Sequence, residues 1–147
     1  MPDIIEIARD TKFEAAHYLP HVPATHKCSR MHGHTYRLTA IWRGPVEPDL
    51  GWVTDFGELR GVLAPLLKLV DHHLLNDLVD NPTCENMLVW LWQEITNQAT
   101  DWGLGVQLAE LRLRETDTSW ATYRGDTAED EVDRSWRAAE HADIETL

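Results

Sequence analysis

The chain is short of basic residues and has no long apolar run, and both shortages exclude functions. Its 13 Lys and Arg stand against 25 Asp and Glu, a formal net charge of −12, so a general affinity for nucleic acid or for an anionic membrane is disfavoured. No stretch approaches the roughly 18 apolar residues of a membrane-spanning helix, and the N-terminus lacks the regions of a signal peptide. We therefore expect a cytoplasmic protein with neither nucleic-acid nor membrane partners.

Cysteine is also scarce, because only Cys28 and Cys84 are present. They could form one disulfide, but a reducing compartment and the histidines around Cys28 favour chemistry or metal binding. Nearby cations such as Lys27 and Arg30 stabilise a thiolate, which acts as a base or nucleophile, whereas an inert buried Cys28 fits such polar neighbours poorly. Cys84, at the start of a predicted helix, is best described as a small apolar filler.

The apolar pattern predicts one domain with strands at both ends and helices between them. At 147 residues the chain is long enough for a single domain. The predicted elements are strands over 4–17 and 35–43, a helix over 55–70, a helix that begins after Thr83 and ends before Gly103, and strands over 106–115 and 120–124. This order indicates an antiparallel α+β layer, with a kink expected at Pro65 in the first helix.

The composition changes after residue 125. Residues 126–147 contain eight acidic residues and two arginines, so their net charge of −6 is half of the net charge of the full chain. We predict a domain over 1–125 and an acidic C-terminal extension over 126–147. The extension is expected to be a short helix around Trp136 or a mobile appendage, without a catalytic role.

Three histidines near the ends of the first two strands form the strongest candidate site. His32 and His34 flank one glycine, so on a strand their rings point to the same face, and His17 at the end of the preceding strand supplies a third ring. Three imidazoles around Zn²⁺ leave one coordination position open, as in catalytic sites. The alternatives are ordinary surface histidines, or a closed structural site in which Cys28 is the fourth ligand.

Two acidic residues are candidates for the surrounding chemistry. Asp71 next to His72 suits proton transfer, provided that loop geometry or a third residue such as Cys28 lets them cooperate; otherwise they form a polar helix end. Along its predicted strand, Glu115 falls at the alternate positions that carry apolar residues, so its side chain points to the apolar face. A carboxylate buried there needs a partner. A pterin edge with two N–H donors would provide one, and a salt bridge with Arg112 or Arg114 is an equal alternative.

Taken together, these motifs resemble the 6-pyruvoyl-tetrahydropterin synthase family. The resemblance runs from Phe13 to Asp126, and the three residues between Cys28 and His32 point within the family to 6-carboxy-5,6,7,8-tetrahydropterin synthases of the queuosine pathway. Tyr18, where relatives often carry Arg, departs from the pattern. The matching motifs are Phe13-Glu14-Ala15-Ala16-His17, Cys28-x-x-x-His32-Gly33-His34, Asp55-Phe56, Asp71-His72-His73, Pro82-Thr83-x-Glu85, Arg114-Glu115-Thr116 and Tyr123-Arg124-Gly125-Asp126.

The resemblance implies a lyase that converts 7,8-dihydroneopterin triphosphate to 6-carboxytetrahydropterin, releasing acetaldehyde and triphosphate. It also implies the tunnelling fold, a four-stranded antiparallel sheet with two helices on one face, in a barrel-forming homohexamer with sites between subunits. The implied roles are Zn²⁺ ligands for His17, His32 and His34, the base for Cys28, its relay for Asp71 and His72, and the pterin anchor for Glu115. To these we add Lys27 and Arg30 as cations for the triphosphate.

Three other functions remain open. A pyruvoyl-tetrahydropterin-forming synthase would act on the same substrate, and a non-catalytic module would use Cys28 to close the zinc site. A zinc hydrolase also suits three imidazoles, although a thiolate base beside its metal would be redundant.

Overall fold

The computed structural model describes residues 1–145, with side chains described over 1–134 and at 137 and 139. Within this part, a five-stranded sheet is covered on one face by two helices, and a third helix follows. The strands are β1 (Ile4–His17), β2 (His32–Pro45), β3 (His73–Leu74), β4 (Gln107–Thr116) and β5 (Ser119–Tyr123). The helices are α1 (Phe56–Val70), α2 (Cys84–Trp102) and α3 (Ala128–Glu145).

The sheet is mixed, so the expectation of a four-stranded antiparallel sheet was wrong. Its order is β3-β1-β2-β4-β5, and the four longer strands are antiparallel neighbours. The additional strand, β3, pairs in parallel with β1 at Ala15 and Ala16. Its two residues are too few to carry a period-2 pattern, which is why the sequence did not indicate it.

The second strand is longer than the sequence pattern predicted. It begins at His32 rather than at Thr35, so that His32 and His34 are strand residues whose directions are fixed by the pleat. The β1–β2 register places His17 directly opposite His32 and Ala15 opposite His34. All three histidines therefore lie at one end of a paired ladder rather than on a loose connection.

The predicted helices are present, with the predicted N-caps. The side chain of Asp55 accepts the N–H of Gly57 in the first turn of α1, and the side chain of Thr83 accepts the N–H of Asn86 in the first turn of α2. Helix α1 continues through Pro65 to Val70. Gly103 ends α2 in the left-handed conformation, at φ 79°, which a residue without a Cβ adopts at low cost.

Helices α1 and α2 pack on the same face of the sheet, which we call the helix face. Alternate strand residues point into this layer, and the largest of them are fully buried: Phe13, Tyr36, Leu38, Trp42, Leu111 and Leu113. The opposite, helix-free face carries the polar residues between them, including Lys12, Arg37 and Arg112. The direction of each strand residue thus decides which face it serves.

The acidic extension contains α3, which is longer than the short helix expected around Trp136. Residues 146 and 147 lie outside the described part of the chain. None of the helices in the described residues is long and apolar enough to cross a membrane.

Candidate active site

The three predicted histidines converge at one end of the sheet. His17 is the last residue of β1, and His32 and His34 are the first and third residues of β2. Their ligand-capable ring nitrogens all lie within 4.8 Å of one another. The ring centroids are 4.6 to 5.1 Å apart, in edge-to-face arrangements. Side chains that would otherwise spread into solvent are therefore gathered around one point on the helix face.

Two of the three rings contact a backbone carbonyl through Nδ1, the nitrogen on the side away from the cluster. The Nδ1 of His17 lies 2.8 Å from the carbonyl oxygen of Pro82, and the Nδ1 of His32 lies 2.7 Å from that of Arg30. A carbonyl oxygen can only accept a hydrogen bond, so both rings carry a proton on Nδ1, and Nε2 is the nitrogen that can coordinate a metal. This is the arrangement by which a second layer of contacts orients histidine ligands of a metal.

The Nε2 atoms of two rings, which face the cluster, have no hydrogen-bond partner among the described residues. The Nε2 atoms of His17 and His34 are buried and make no hydrogen bond with any described residue. Buried polar atoms in folded proteins are almost always satisfied, so these two orphaned nitrogens need an external partner. A cation with nitrogen-donor preference provides it, and the residues present therefore fit a bound metal ion.

The protonation state also favours metal binding. Burial lowers the pKa of His17 and that of His34, and the carboxylate of Glu115 opposes the shift only in part. Both rings are therefore neutral near pH 7, as imidazole ligands must be. The hydroxyl of Tyr36 lies 3.3 Å from the Nδ1 of His17, and burial raises its pKa far above neutrality, so it contributes no charge here.

Cys28 lies in a 3-10 turn (Lys27–Ser29) of the loop between β1 and β2. Its carbonyl accepts the N–H of Leu19 at 2.8 Å, and its own N–H donates to His26 Nδ1 at 3.0 Å. The half-buried thiol is free of any disulfide. In the described chain its sulfur does not belong to the cluster of metal-capable atoms, so a single subunit does not form the closed four-ligand site.

Asp71 and His72 form the predicted pair, through an unusual backbone conformation. His72 has φ 58°, in the left-handed region that non-glycine residues rarely adopt, and this turns its ring back toward Asp71. The Asp71 Oδ1 lies 3.0 Å from the His72 Nδ1 and accepts the N–H of Glu14 at 2.9 Å. These contacts, the Glu14 N–H first, lower the pKa of Asp71. The expected loop geometry is therefore present.

Nothing in the described chain joins this pair to Cys28. The side chains of Asp71 and His72 contact each other, and the Asp71 carboxylate and the His72 N–H also bind the backbone of Glu14 on the outer edge of β1. His72 and His34 both line a cleft of about 520 Å³, and Cys28 is not among its lining residues. The pair and the thiol thus belong to different parts of the subunit surface.

Glu115 points toward the histidines, as its parity on the strand predicted. Its Oε1 lies 3.8 Å from the Nε2 of His34, too far for a hydrogen bond. The alternative of a salt bridge with a neighbouring arginine is wrong, because Arg112 pairs with Glu110 and Arg114 packs over Trp120. The carboxylate remains available to a ligand.

A cavity of about 230 Å³ lies beside this carboxylate, between the start of α2 and the β4–β5 hairpin. It is lined by Leu19, Thr83, Cys84, Glu85, Glu115, Ser119, Trp120 and Ala121. Burial, with help from Glu115, raises the pKa of the Cys84 thiol to about 12, and its S–H donates to the carbonyl of Leu113. Cys84 is therefore a neutral wall of the cavity, in agreement with its predicted role as a filler.

Comparison with known proteins identifies the family. A family model described as 6-pyruvoyl tetrahydropterin synthase matches residues 6–126. The chain belongs to the 6-pyruvoyl tetrahydropterin synthase family. Members of this family are pterin-processing lyases and are generally metal-dependent, which agrees with the cluster of three imidazoles.

Three similar proteins illustrate the likeness. A 6-carboxy-5,6,7,8-tetrahydropterin synthase of Synechocystis sp. is 33% identical over 124 residues, covering 80% of this chain and 91% of the relative. A dihydroneopterin monophosphate aldolase of Pyrococcus furiosus is 35% identical over 83 residues, covering 56% and 68%. The structure of the 6-pyruvoyl tetrahydropterin synthase of Caenorhabditis elegans superimposes with a TM-score of 0.76 at 25% identity, covering 85% and 98%.

Proposed function

We propose that this lyase converts 7,8-dihydroneopterin triphosphate to 6-carboxy-5,6,7,8-tetrahydropterin, with release of acetaldehyde and triphosphate, in queuosine biosynthesis. The observation that carries the proposal is the convergence of His17, His32 and His34, with two buried, unsatisfied Nε2 atoms, beside the free carboxylate of Glu115. The similarity to the 6-carboxytetrahydropterin synthase of Synechocystis sp. supports this product.

The metal that we propose is Zn²⁺, held by His17, His32 and His34. Three imidazoles with an open position are the ligand set of catalytic zinc sites. When bound, the ion acts as a Lewis acid that makes coordinated substrate hydroxyls more acidic. The chain itself keeps His17 and His34 neutral by burial, which lowers the pKa of each, and it orients His17 and His32 through the carbonyls of Pro82 and Arg30.

Cys28 is the proposed base, and Asp71 with His72 is its proton relay. The thiolate removes or returns a carbon-bound proton of the substrate side chain, and His72, held by the Asp71 carboxylate, carries that proton further. Since no contact joins Cys28 to this pair in the described chain, we propose that the relay serves the Cys28 of an adjacent subunit. This proposal agrees with a barrel-forming homohexamer whose sites lie between subunits.

Glu115 is the proposed anchor of the pterin ring. Its carboxylate borders the 230 Å³ cavity and has no competing arginine, so it is free to accept two adjacent N–H donors of the pterin edge. Lys27 and Arg30, both exposed, are the proposed cations for the triphosphate. We further propose that residues 1–125 form the catalytic domain and that 126–147 is an appended acidic extension without a catalytic role.

The test is to incubate the zinc-loaded protein with 7,8-dihydroneopterin triphosphate and identify both products. We expect acetaldehyde and 6-carboxytetrahydropterin in equal amounts. Formation of 6-pyruvoyltetrahydropterin without acetaldehyde would favour the pyruvoyl-forming reaction. Release of a glycolaldehyde that still carries the phosphate groups, or no conversion of the substrate at all, would also contradict the proposal.

A further inference from the structure

The helix-free face of the sheet carries an unexpected concentration of positive charge. Lys12 on β1, Arg37 on β2 and Arg114 on β4 are directly paired across three adjacent strands, with Arg37 opposite both of the others. We call these three residues the cationic row. In a chain of net charge −12 it stands out as a local reversal of sign.

Such a row opposes the stability of the sheet. Like charges directly opposite each other on neighbouring strands destabilise their pairing, because their side chains lie only about 5 Å apart. Folding alone therefore favours a different choice of residues at these positions. An anion bound across the row would remove the repulsion.

The carboxylates of the described chain leave most of this charge uncompensated. Asp10 approaches Arg37 only to 3.8 Å, and its other oxygen is taken by the hydroxyl of Thr39. Glu110, which is nearly buried, is occupied by Arg112 and Arg124. Neither Lys12 nor Arg114 forms an ion pair with any residue that the structure describes.

A surface cleft lies over part of the row. Its volume is about 240 Å³, and its lining contains three arginines and one carboxylate: Asp10, Arg37, Thr39, Arg112, Arg114 and Trp120. The guanidinium of Arg114 lies 4.2 Å above the ring of Trp120 and donates to the carbonyl of Asp117 at 2.7 Å. One cation of the row is thus held in place rather than free in solvent, which favours binding over a merely solvated surface.

We propose that the cationic row is a binding site for linear inorganic oligophosphates such as triphosphate. The row extends over two strand spacings, roughly 10 Å, so an extended anion with several charges contacts all three cations, whereas orthophosphate or sulfate contacts only neighbours. Guanidinium groups also match phosphate oxygens in a bidentate geometry. Arg114 already covers a face of Trp120, which disfavours the stacking of a nucleotide base there.

This site is separate from the proposed metal site. The row projects from the helix-free face, whereas the three histidines and Glu115 project from the helix face of the same strands. Binding of an oligophosphate does not depend on the proposed reaction. The identification of that anion with the leaving group of the reaction does rest on the proposed function.

The experiment is calorimetric titration of the full-length, metal-loaded protein with sodium triphosphate, orthophosphate and sulfate at 0.15 M ionic strength. We expect triphosphate to bind at least tenfold more tightly than the other two anions. Arg37→Gln and Lys12→Gln are each expected to weaken triphosphate binding at least tenfold. The matched control is Arg60→Gln, which removes an exposed arginine of α1 on the other side of the molecule and is expected to leave binding unchanged.

Two further measurements keep the result interpretable. Because triphosphate also chelates metals, and because Lys27 and Arg30 are proposed to hold it near the metal site, the titration is repeated on His32→Ala and on Lys27→Gln, which are both expected to retain triphosphate binding at the cationic row. Because removal of repulsion does not destabilise the sheet, Arg37→Gln is expected to melt no lower than the unaltered protein when no anion is added. Triphosphate binding no tighter than sulfate, equal weakening by Arg60→Gln, or loss of binding in His32→Ala would overturn the proposal.

Discussion

Replacement of Glu115 by glutamine tests the proposed pterin anchor in isolation. Glu115→Gln preserves the shape of the side chain but removes its charge, and a neutral amide both accepts and donates, so it cannot pair with two N–H donors. Hydrogen bonds to a charged group are worth about 1.5–3 kcal/mol. The loss of one such bond therefore weakens the binding of a pterin about 10- to 150-fold, since about 1.4 kcal/mol corresponds to a factor of ten.

The assay is fluorescence titration with 7,8-dihydroneopterin, which carries the ring but not the triphosphate. Zinc content is measured in parallel, because Glu115 lies 3.8 Å from His34 and its charge partly offsets the lowering of that ring's pKa by burial. We expect full zinc content in Glu115→Gln. Glu85→Gln, which removes an exposed carboxylate at the same cavity, is the control and is expected to bind normally. Unchanged affinity in Glu115→Gln would refute the anchor.

Three further predictions follow from the geometry. Cys28→Ala is expected to keep its zinc and to lose about 10²- to 10⁴-fold in kcat, the usual contribution of a general base, and loss of metal would instead favour a ligand role. Folding lowers the pKa of His17 and that of His34, so below about pH 6.5 the unfolded chain binds more protons than the folded one. The free energy of unfolding of the metal-free protein is therefore expected to fall as the pH drops from 6.5 through the lowered pKa values. Urea titrations that give the same free energy from pH 8 to pH 5 would contradict this. Gly103 has φ 79°, so Gly103→Ala is expected to lower the free energy of unfolding by about 1 kcal/mol in urea titrations. Gly105 has open space around it and no positive φ, so Gly105→Ala is expected to lower that free energy by less. Equal decreases in the two variants would contradict the strain argument.

The parts of the fold that could be predicted are those with a repeating pattern or a cap. The bounds of β1 were predicted at both ends, and Asp55 and Thr83 were identified as caps because oxygen-bearing side chains before an apolar helical pattern satisfy its first free N–H groups. The alternation of apolar and polar residues along β4 correctly predicted the direction in which Glu115 points. Local rules were sufficient in each case.

The parts that could not be predicted depend on contacts between distant segments. The carbonyl of Pro82 orients His17 across 65 residues of sequence, and no local pattern reveals that contact. Strand β3 and the left-handed His72 exist because the chain after α1 meets the outer edge of β1 at Glu14. The contact between the Tyr36 hydroxyl and the Nδ1 of His17 likewise forms only because the two strands are paired.

X-ray absorption spectroscopy at the zinc edge tests the central claim most directly. With three imidazole ligands and an open position, the spectrum is expected to show nitrogen and oxygen scatterers at about 2.0–2.2 Å and no sulfur at about 2.3 Å. His17→Ala, His32→Ala and His34→Ala are each expected to lower the zinc content, because each ring supplies one of the clustered nitrogens. A sulfur shell that disappears in Cys28→Ala, or full zinc occupancy after loss of any one histidine, would contradict the open three-histidine site.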